Sequence, residues 1–263
     1  MMRLIRSFFI AFAMYSKIPV PHTEWKEEDM KYVFIFFPFI GVVIGALVFG
    51  WFALCRFLEN IPDICRVLIT AAIPLIITGG IHVDGFMDTM DAFHSYRERE
   101  KKLEILKDPH IGAFSVIMLA LYGLIFLGTL SFVNGLESVL TLCIIFVLSR
   151  CISGFCAVSF KSAKEGTLNL FAKNSSKILV QIITLSETAG CIVAMAFVNP
   201  IFAAGITVTI IFTVIYYYFK TKKEFGGITG DTAGYLLLIC ERNALIALAI
   251  ITVVLGRMNF YFR

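Results

Sequence analysis

Apolar residues in this chain arrive in long blocks, and the polar residues are gathered into the intervals between them. Seven blocks, at 33–56, 64–81, 111–133, 138–160, 178–198, 201–219 and 232–256, are almost free of charge. A helix needs about 20 apolar residues to cross roughly 30 Å of hydrocarbon. The blocks therefore predict an all-α integral membrane protein, a polytopic bundle of about seven transmembrane helices. Pro74 interrupts the second block, which a membrane helix accommodates when its neighbours satisfy the freed carbonyl. Asn199-Pro200 alone separates the fifth block from the sixth, predicting a tight hairpin. With no linker, internal repeat or low-complexity stretch to divide it, 1–263 is read as a single membrane-embedded domain.

The first twenty residues, MMRLIRSFFIAFAMYSKIPV, have the basic start and apolar middle of a signal peptide. They lack a small-residue cleavage site, and Lys17 and Pro19 break the run. The segment is expected to be a retained amphipathic helix lying on the membrane face.

Composition agrees with the block pattern. At 59% hydrophobic and 16% charged, with a mean hydropathy of +0.85, the chain departs from soluble domains, which carry about 25% charged residues. Charge then orients it. With the N-terminus taken as cytoplasmic, seventeen Lys and Arg fall on that side and four on the other. The positive-inside rule places the segments 82–110, 161–177 and 220–231 on the cytoplasmic side of the membrane, and the C-terminus outside. Nothing in the pattern points to nucleic acid as a partner. The seven cysteines show neither a CxxC pair nor Cys/His ligand spacing, so a thiolate zinc site is not expected.

The longest polar interval, Thr78 to Gly112, carries the candidate chemistry. Asp84, Asp88 and Asp91 are spaced i, i+4 and i+7. On a helix they fall within ~60° of one another, opposite Phe86, Met90 and Phe93. Such a stripe is either a solvated face or an oxygen-only site for a hard cation, Mg²⁺ for preference. A second motif, GGITGDTAG at Gly226 to Gly234, opens the last apolar block. Gly227 and Gly230 let backbone approach an anion there, and helix N-terminal amides favour negative charge. Asp231 is positioned to complete an oxygen site from a second helix on the same membrane face. The alternative is a flexible turn capped by Thr229 or Asp231.

Arg150, Glu241 and Arg242 lie inside apolar runs, where a charge costs at least ~2.5–3.5 kcal/mol and defaults to a functional reading. Arg150 is a candidate phosphate ligand; the competing reading pairs it with Glu241 to join two helices. Acids on two helices, a glycine-rich helix start and nearby basic residues together supply what phosphoryl transfer on a diphosphate requires: charge neutralisation and a grip on non-bridging oxygens.

TGGIHVDGFMDTMDAF followed by REREKKLEILKDPHIGAF resembles the signature of the cobalamin synthase family, the membrane-bound adenosylcobinamide-GDP ribazoletransferases. Other matches are AFAMYSKIPVP with FFPFIGVVIGAL, the pair Ser149-Arg150, KEG at Lys164 to Gly166, and GGITGDTAG, so the likeness spans nearly the whole chain. The resemblance implies a Mg²⁺-dependent phosphotransferase acting in cobalamin biosynthesis. A hydroxyl of α-ribazole, or of its 5′-phosphorylated form, would attack the cobinamide-side phosphorus of adenosylcobinamide-GDP and expel GMP. It further implies Asp84, Asp88 and Asp231 as metal ligands, Asp91 as ligand or base, and His82 as a supporting catalytic candidate. Lys107 and Asp108 would serve phosphate binding and orientation, and Arg97, Arg99, Lys161 and Lys164 are further basic candidates. Two other readings are a cation-coupled transporter using the aspartates as an ion path, and an enzyme like the CDP-alcohol phosphotransferases. Transporter sites lie near the midplane on repeated broken helices, and no such repeat is found. The Ala-Arg pair that follows Asp-Gly in the second family is missing. Oligomeric state is left open, homo-oligomers included.

Overall fold

The computed structural model describes residues 2–21, 26–163 and 176–261. Helix α1 (Met2–Tyr15) has 14 residues, ~21 Å of helix and too short to cross a bilayer. It is amphipathic, burying Ile10, Ala11 and Phe12 while Leu4 and Ile5 stay exposed. A 3-10 turn (Glu27–Tyr32) leads into α2 (Val33–Leu58), and the Ser7 hydroxyl donates to the Asp29 carbonyl at 2.6 Å to fix α1 against that turn. There follow α3 (Asp63–Thr78), α4 (Ile81–His94), α5 (Arg99–Ile105), α6 (Ala113–Leu130), α7 (Leu136–Ser159), α8 (Lys177–Val198), α9 (Pro200–Phe225) and α10 (Gly230–Tyr261). No strand occurs among the described residues; a single parallel bridge joins Ser162 to Ile228.

Six helical stretches among the described residues are long and apolar enough to span a membrane: Glu28–Leu58, α6, α7, α8, α9 and Gly230–Gly256. The second apolar block counts as a seventh span only when taken together with the helix after it, as a bent pair. It ends as the 16-residue α3, and α4 departs from it at 94°. The bend is made by Gly79 and Gly80, both left-handed at φ 63° and 79°, a conformation that side chains with a Cβ disfavour. The Lys17 amide donates to the Ile77 carbonyl at 2.7 Å, and the Lys17 side chain covers Gly79 so closely that a methyl there would lie 2.3 Å from its Cε. The end of α1 and the end of α3 therefore meet at one end of the bundle. The hairpin between α8 and α9 is as tight as expected, with the Asn199 side chain accepting from the amides of Ile201 and Phe202 and Pro200 opening the helix.

Helix α7 is the centre of the bundle, packed by α2, α8 and α10. It meets α2 backbone to backbone: a methyl on Gly41 would lie 2.4 Å from the Phe146 carbonyl oxygen. Close approach through small residues is the usual way membrane helices gain contact, because lipid supplies no hydrophobic drive to pack them. Outward-facing Phe57, Ile178, Phe197 and Phe212 leave apolar surface exposed around the bundle, as a lipid solvent requires.

Candidate functional site

The site forms where α4 crosses the first turn of α10. Two glycines make that crossing. A methyl on Gly85 would lie 2.8 Å from the Asp231 carbonyl oxygen, and one on Gly234 would lie 3.1 Å from that of His82. Any larger residue at 85 forces the helices apart. The start of α10 is held by a reciprocal cap: the Thr229 amide donates to the Thr232 hydroxyl at 2.8 Å, and the Thr232 amide to the Thr229 hydroxyl at 3.2 Å. The Thr229 hydroxyl also reaches the Asp231 carboxylate at 3.3 Å, and the Tyr217 hydroxyl backs Thr232 at 3.2 Å. The loop before the cap is fixed in turn by Gly227, where a methyl would collide with the Lys161 carbonyl oxygen at 2.3 Å.

This packing opens a cavity of about 180 Å³ at the end of the bundle where α1, α2, α4, α7 and α10 converge. Asp84 and Asp231 line it from two different helices, together with His82, Gly230, Ser153 and Tyr15. A methyl on Gly230 would meet nothing within 4 Å, so the N-terminus of α10 faces open space there. Of the residues singled out from sequence, the fold brings His82, Asp84, Gly230 and Asp231 into one cavity. Asp88, half-buried and one turn further along α4, does not line it. Asp91 is directed elsewhere: its carboxylate lies over Gly112, leaving a methyl at that position only 1.9 Å from Oδ1. It thus sits against the residue that precedes α6, where helix amides favour a negative charge.

The basic candidates are spread more widely. Arg97, Lys107 and Asp108 are exposed on the segment around α5. The Asp108 carboxylate accepts from the His110 amide at 3.0 Å and pairs with its ring, and those bonds hold its pKa below the ordinary carboxylate value. The Arg99 guanidinium lies over Gly226, 3.2 Å from where a methyl would stand. Lys161 is exposed beside the Ser162–Ile228 bridge, and Lys164 falls outside the described residues. Arg150 is 1% exposed and pairs with Glu241 at 2.9 Å, while its Nη1 also donates to the Phe146 carbonyl at 2.6 Å. The inter-helix pairing weighed for it from sequence is therefore present.

Residues not picked out from sequence also shape the site. Tyr15 and Ser153 enter the cavity only because α1 and α7 fold against it, and neither stands in a polar motif. Lys102, 7% exposed, pairs with Glu224 and so ties α5 to the end of α9, where Lys220 joins at 2.9 Å. A Glu placed four residues after Lys220 was the legible part of that cluster.

The family model described as cobalamin-5-phosphate synthase matches residues 7–249. The chain belongs to this family. Among curated relatives, the adenosylcobinamide-GDP ribazoletransferase of Lachnoclostridium phytofermentans is 42% identical over 250 residues, covering 95% of each chain. That of Clostridium perfringens is 36% identical over 249 residues, 92% of this chain and 96% of the relative. The enzyme of Listeria monocytogenes is 32% identical over 240 residues, 88% and 92% of the two chains. No solved structure matches. The matched region takes in five of the six spans found among the described residues and the greater part of the last, and both glycine-aspartate motifs fall within it.

The donor set can be tested against the Mg²⁺ implied by the resemblance. Among the described residues, no three His, Cys, Asp or Glu side chains are gathered closely enough to hold an ion by themselves. Asp84 and Asp231 nevertheless line one cavity, each bringing carboxylate oxygens. Mg²⁺ is commonly held by one or two carboxylates with waters and substrate phosphate oxygens completing the octahedron, so this pair fits it. A preformed three-carboxylate cage on α4 does not.

Proposed function

We propose that this protein transfers the cobinamide-phosphate moiety of adenosylcobinamide-GDP to α-ribazole or its 5′-phosphate and releases GMP. The observation that carries the reading is the convergence of Asp84 and Asp231, one from each glycine-aspartate motif, on a single cavity in a chain that matches ribazoletransferases along nearly its whole length. A ribose hydroxyl oxygen bonds to the cobinamide-side phosphorus and gives up its proton to solvent or to the departing phosphate, and the P–O bond to the bridging oxygen breaks. GMP departs with that oxygen.

Asp84 and Asp231 would hold Mg²⁺, which supplies Lewis-acid neutralisation of the diphosphate when bound. The chain's own contributions are orientation and charge. Gly230 leaves the first amides of α10 open toward an anionic oxygen, and the Thr229–Thr232 cap keeps that helix start from moving as charge redistributes. The Thr229 hydroxyl fixes one face of the Asp231 carboxylate. The Gly85–Gly234 crossing sets the spacing of the two acids, because both helices are in backbone contact there. We assign this end of the bundle to the cytoplasm, where the excess of Lys and Arg lies and where nucleotide substrates are found.

The purified full-length protein in lipid nanodiscs, given adenosylcobinamide-GDP, α-ribazole and Mg²⁺, should release GMP with formation of the nucleotide loop. GMP release that does not depend on α-ribazole, or none under conditions in which a ribazoletransferase from one of the relatives is active, would overturn the reading.

A further inference from the structure

A second cavity, of about 310 Å³, opens on the other side of His82, between α3, α4, α6 and α10. His82 lines both cavities, so the two adjoin at this residue. The second is walled by Pro74, Leu75, Tyr122, Phe126 and Leu237, and its charged lining is the Arg150–Glu241 pair. Two deeply buried groups on this lining are unpartnered among the described residues: Nε2 of His82, 7% exposed, and Nε of Arg150, 1% exposed. Buried polar atoms are nearly always bonded in native proteins, and an exception asks for a ligand or water. A lipid acyl chain would fill the apolar walls but give neither nitrogen a partner. A flat heteroaromatic ring answers the apolar walls with its faces and Nε2 of His82 with its ring nitrogen, which takes one hydrogen bond. Tyr122 and Phe126, whose rings lie 5.6 Å apart and within 16° of parallel, form an aromatic wall suited to such a face.

We propose that this cavity is the base subsite for the acceptor nucleoside: the base lies against Tyr122 and Phe126 with its ring nitrogen toward His82. The sugar passes His82, and its hydroxyl enters the Asp84–Asp231 cavity. The proposal rests on the transferase reading above and deepens it. Size agrees: small-molecule pockets begin near ~300 Å³, enough for a two-ring base and far too little for a corrin. The arrangement also divides labour by solvent. The apolar half of the nucleoside is buried toward the bilayer interior, and the charged reacting groups stay at the polar end. His82 then acts by positioning the nucleoside.

Gly123 provides the test. It lines the cavity, and a methyl there meets nothing within 4 Å, so the position accepts a Cβ and a larger side chain takes up space at the cavity wall. Gly123→Phe and Gly123→Leu in nanodiscs should raise the Kd for α-ribazole by about tenfold or more, measured calorimetrically without the second substrate. The KM for adenosylcobinamide-GDP should stay within about twofold, and the thermal midpoint should hold. Gly123→Ala should bind α-ribazole like the unaltered protein. Equal weakening of both substrates would overturn the proposal, as would unchanged α-ribazole binding in Gly123→Phe. Unchanged binding accompanied by loss of co-purifying phospholipid would assign the cavity to an acyl chain instead. Because binding is read without turnover, α-ribazole bound by the unaltered protein and lost in Gly123→Phe supports the subsite even if no GMP is released. Absence of GMP release alone would strike only the transferase reading.

Discussion

The two ends of α4 share a face of one helix and serve different partners. At its first turn, Gly85 brings the α10 backbone into contact, and Asp84 opens into a cavity that Asp231 also lines. Two turns later Asp91 lies on Gly112, and the neighbouring Phe93 packs on Phe225 and Tyr235 at 5.4 and 5.5 Å between ring centres. The periodicity that aligns Asp84, Asp88 and Asp91 is real, but only Asp84 enters the cavity that Asp231 lines; at the far end α4 meets α10 through Phe93 and Tyr235, on its apolar face. An acidic stripe is a property of one helix. A site belongs to a crossing, and the glycines mark where the crossing is.

The sharpest way to break this comparison is to remove charge at the crossing. Asp84→Asn and Asp231→Asn should each lower kcat/KM for GMP release by about a hundredfold or more, with the protein still folded by size exclusion. If only Asp84→Asn is impaired, the site lies on α4 alone and the crossing has no chemical role. Slightly less severe should be Gly85→Val, which pushes α10 off α4 and separates two intact carboxylates. We expect a loss of tens-fold to a hundredfold, since misplacement of ~1 Å can cost that much, together with a lowered thermal midpoint. At the other end, Gly112→Ala must displace the Asp91 carboxylate. A fall of about tenfold would mean that Asp91 acts on the reaction through the start of α6, and unchanged kinetics would leave it a structural acid. The smallest effect belongs to Gly230→Ala, which meets open space. Its stability should match or exceed the parent's by up to ~1 kcal/mol in urea unfolding, whereas Gly85→Ala should lose stability.

Much of the site was legible because its two halves are each local. GGIHVDG and GGITGDTAG carry the glycines and acids within seven to nine residues, and the basic asymmetry assigns both to one membrane face. What could not be read was the partner of each acid. Tyr15 and Ser153 come from helices with no polar motif, and Lys102 meets Glu224 across 122 positions of chain. Arg150 shows the limit from the other side. Its charge in an apolar run announced a role, yet spacing could not choose between a phosphate and Glu241, because Glu241 lies on another helix 91 positions away.

By itself the sequence determined the solvent, the helices and the acids. A block of twenty apolar residues has one stable conformation in hydrocarbon, and charge cannot be buried there without a reason. Only the tertiary structure decided that the second block ends at a 94° bend, that Asp84 and Asp231 line one cavity while Asp91 lies over Gly112, and that His82 lines two cavities. The physical reason is that membrane helices are told apart by where their backbones can touch. That depends on glycines of two chain segments coinciding in space, which neither segment encodes alone.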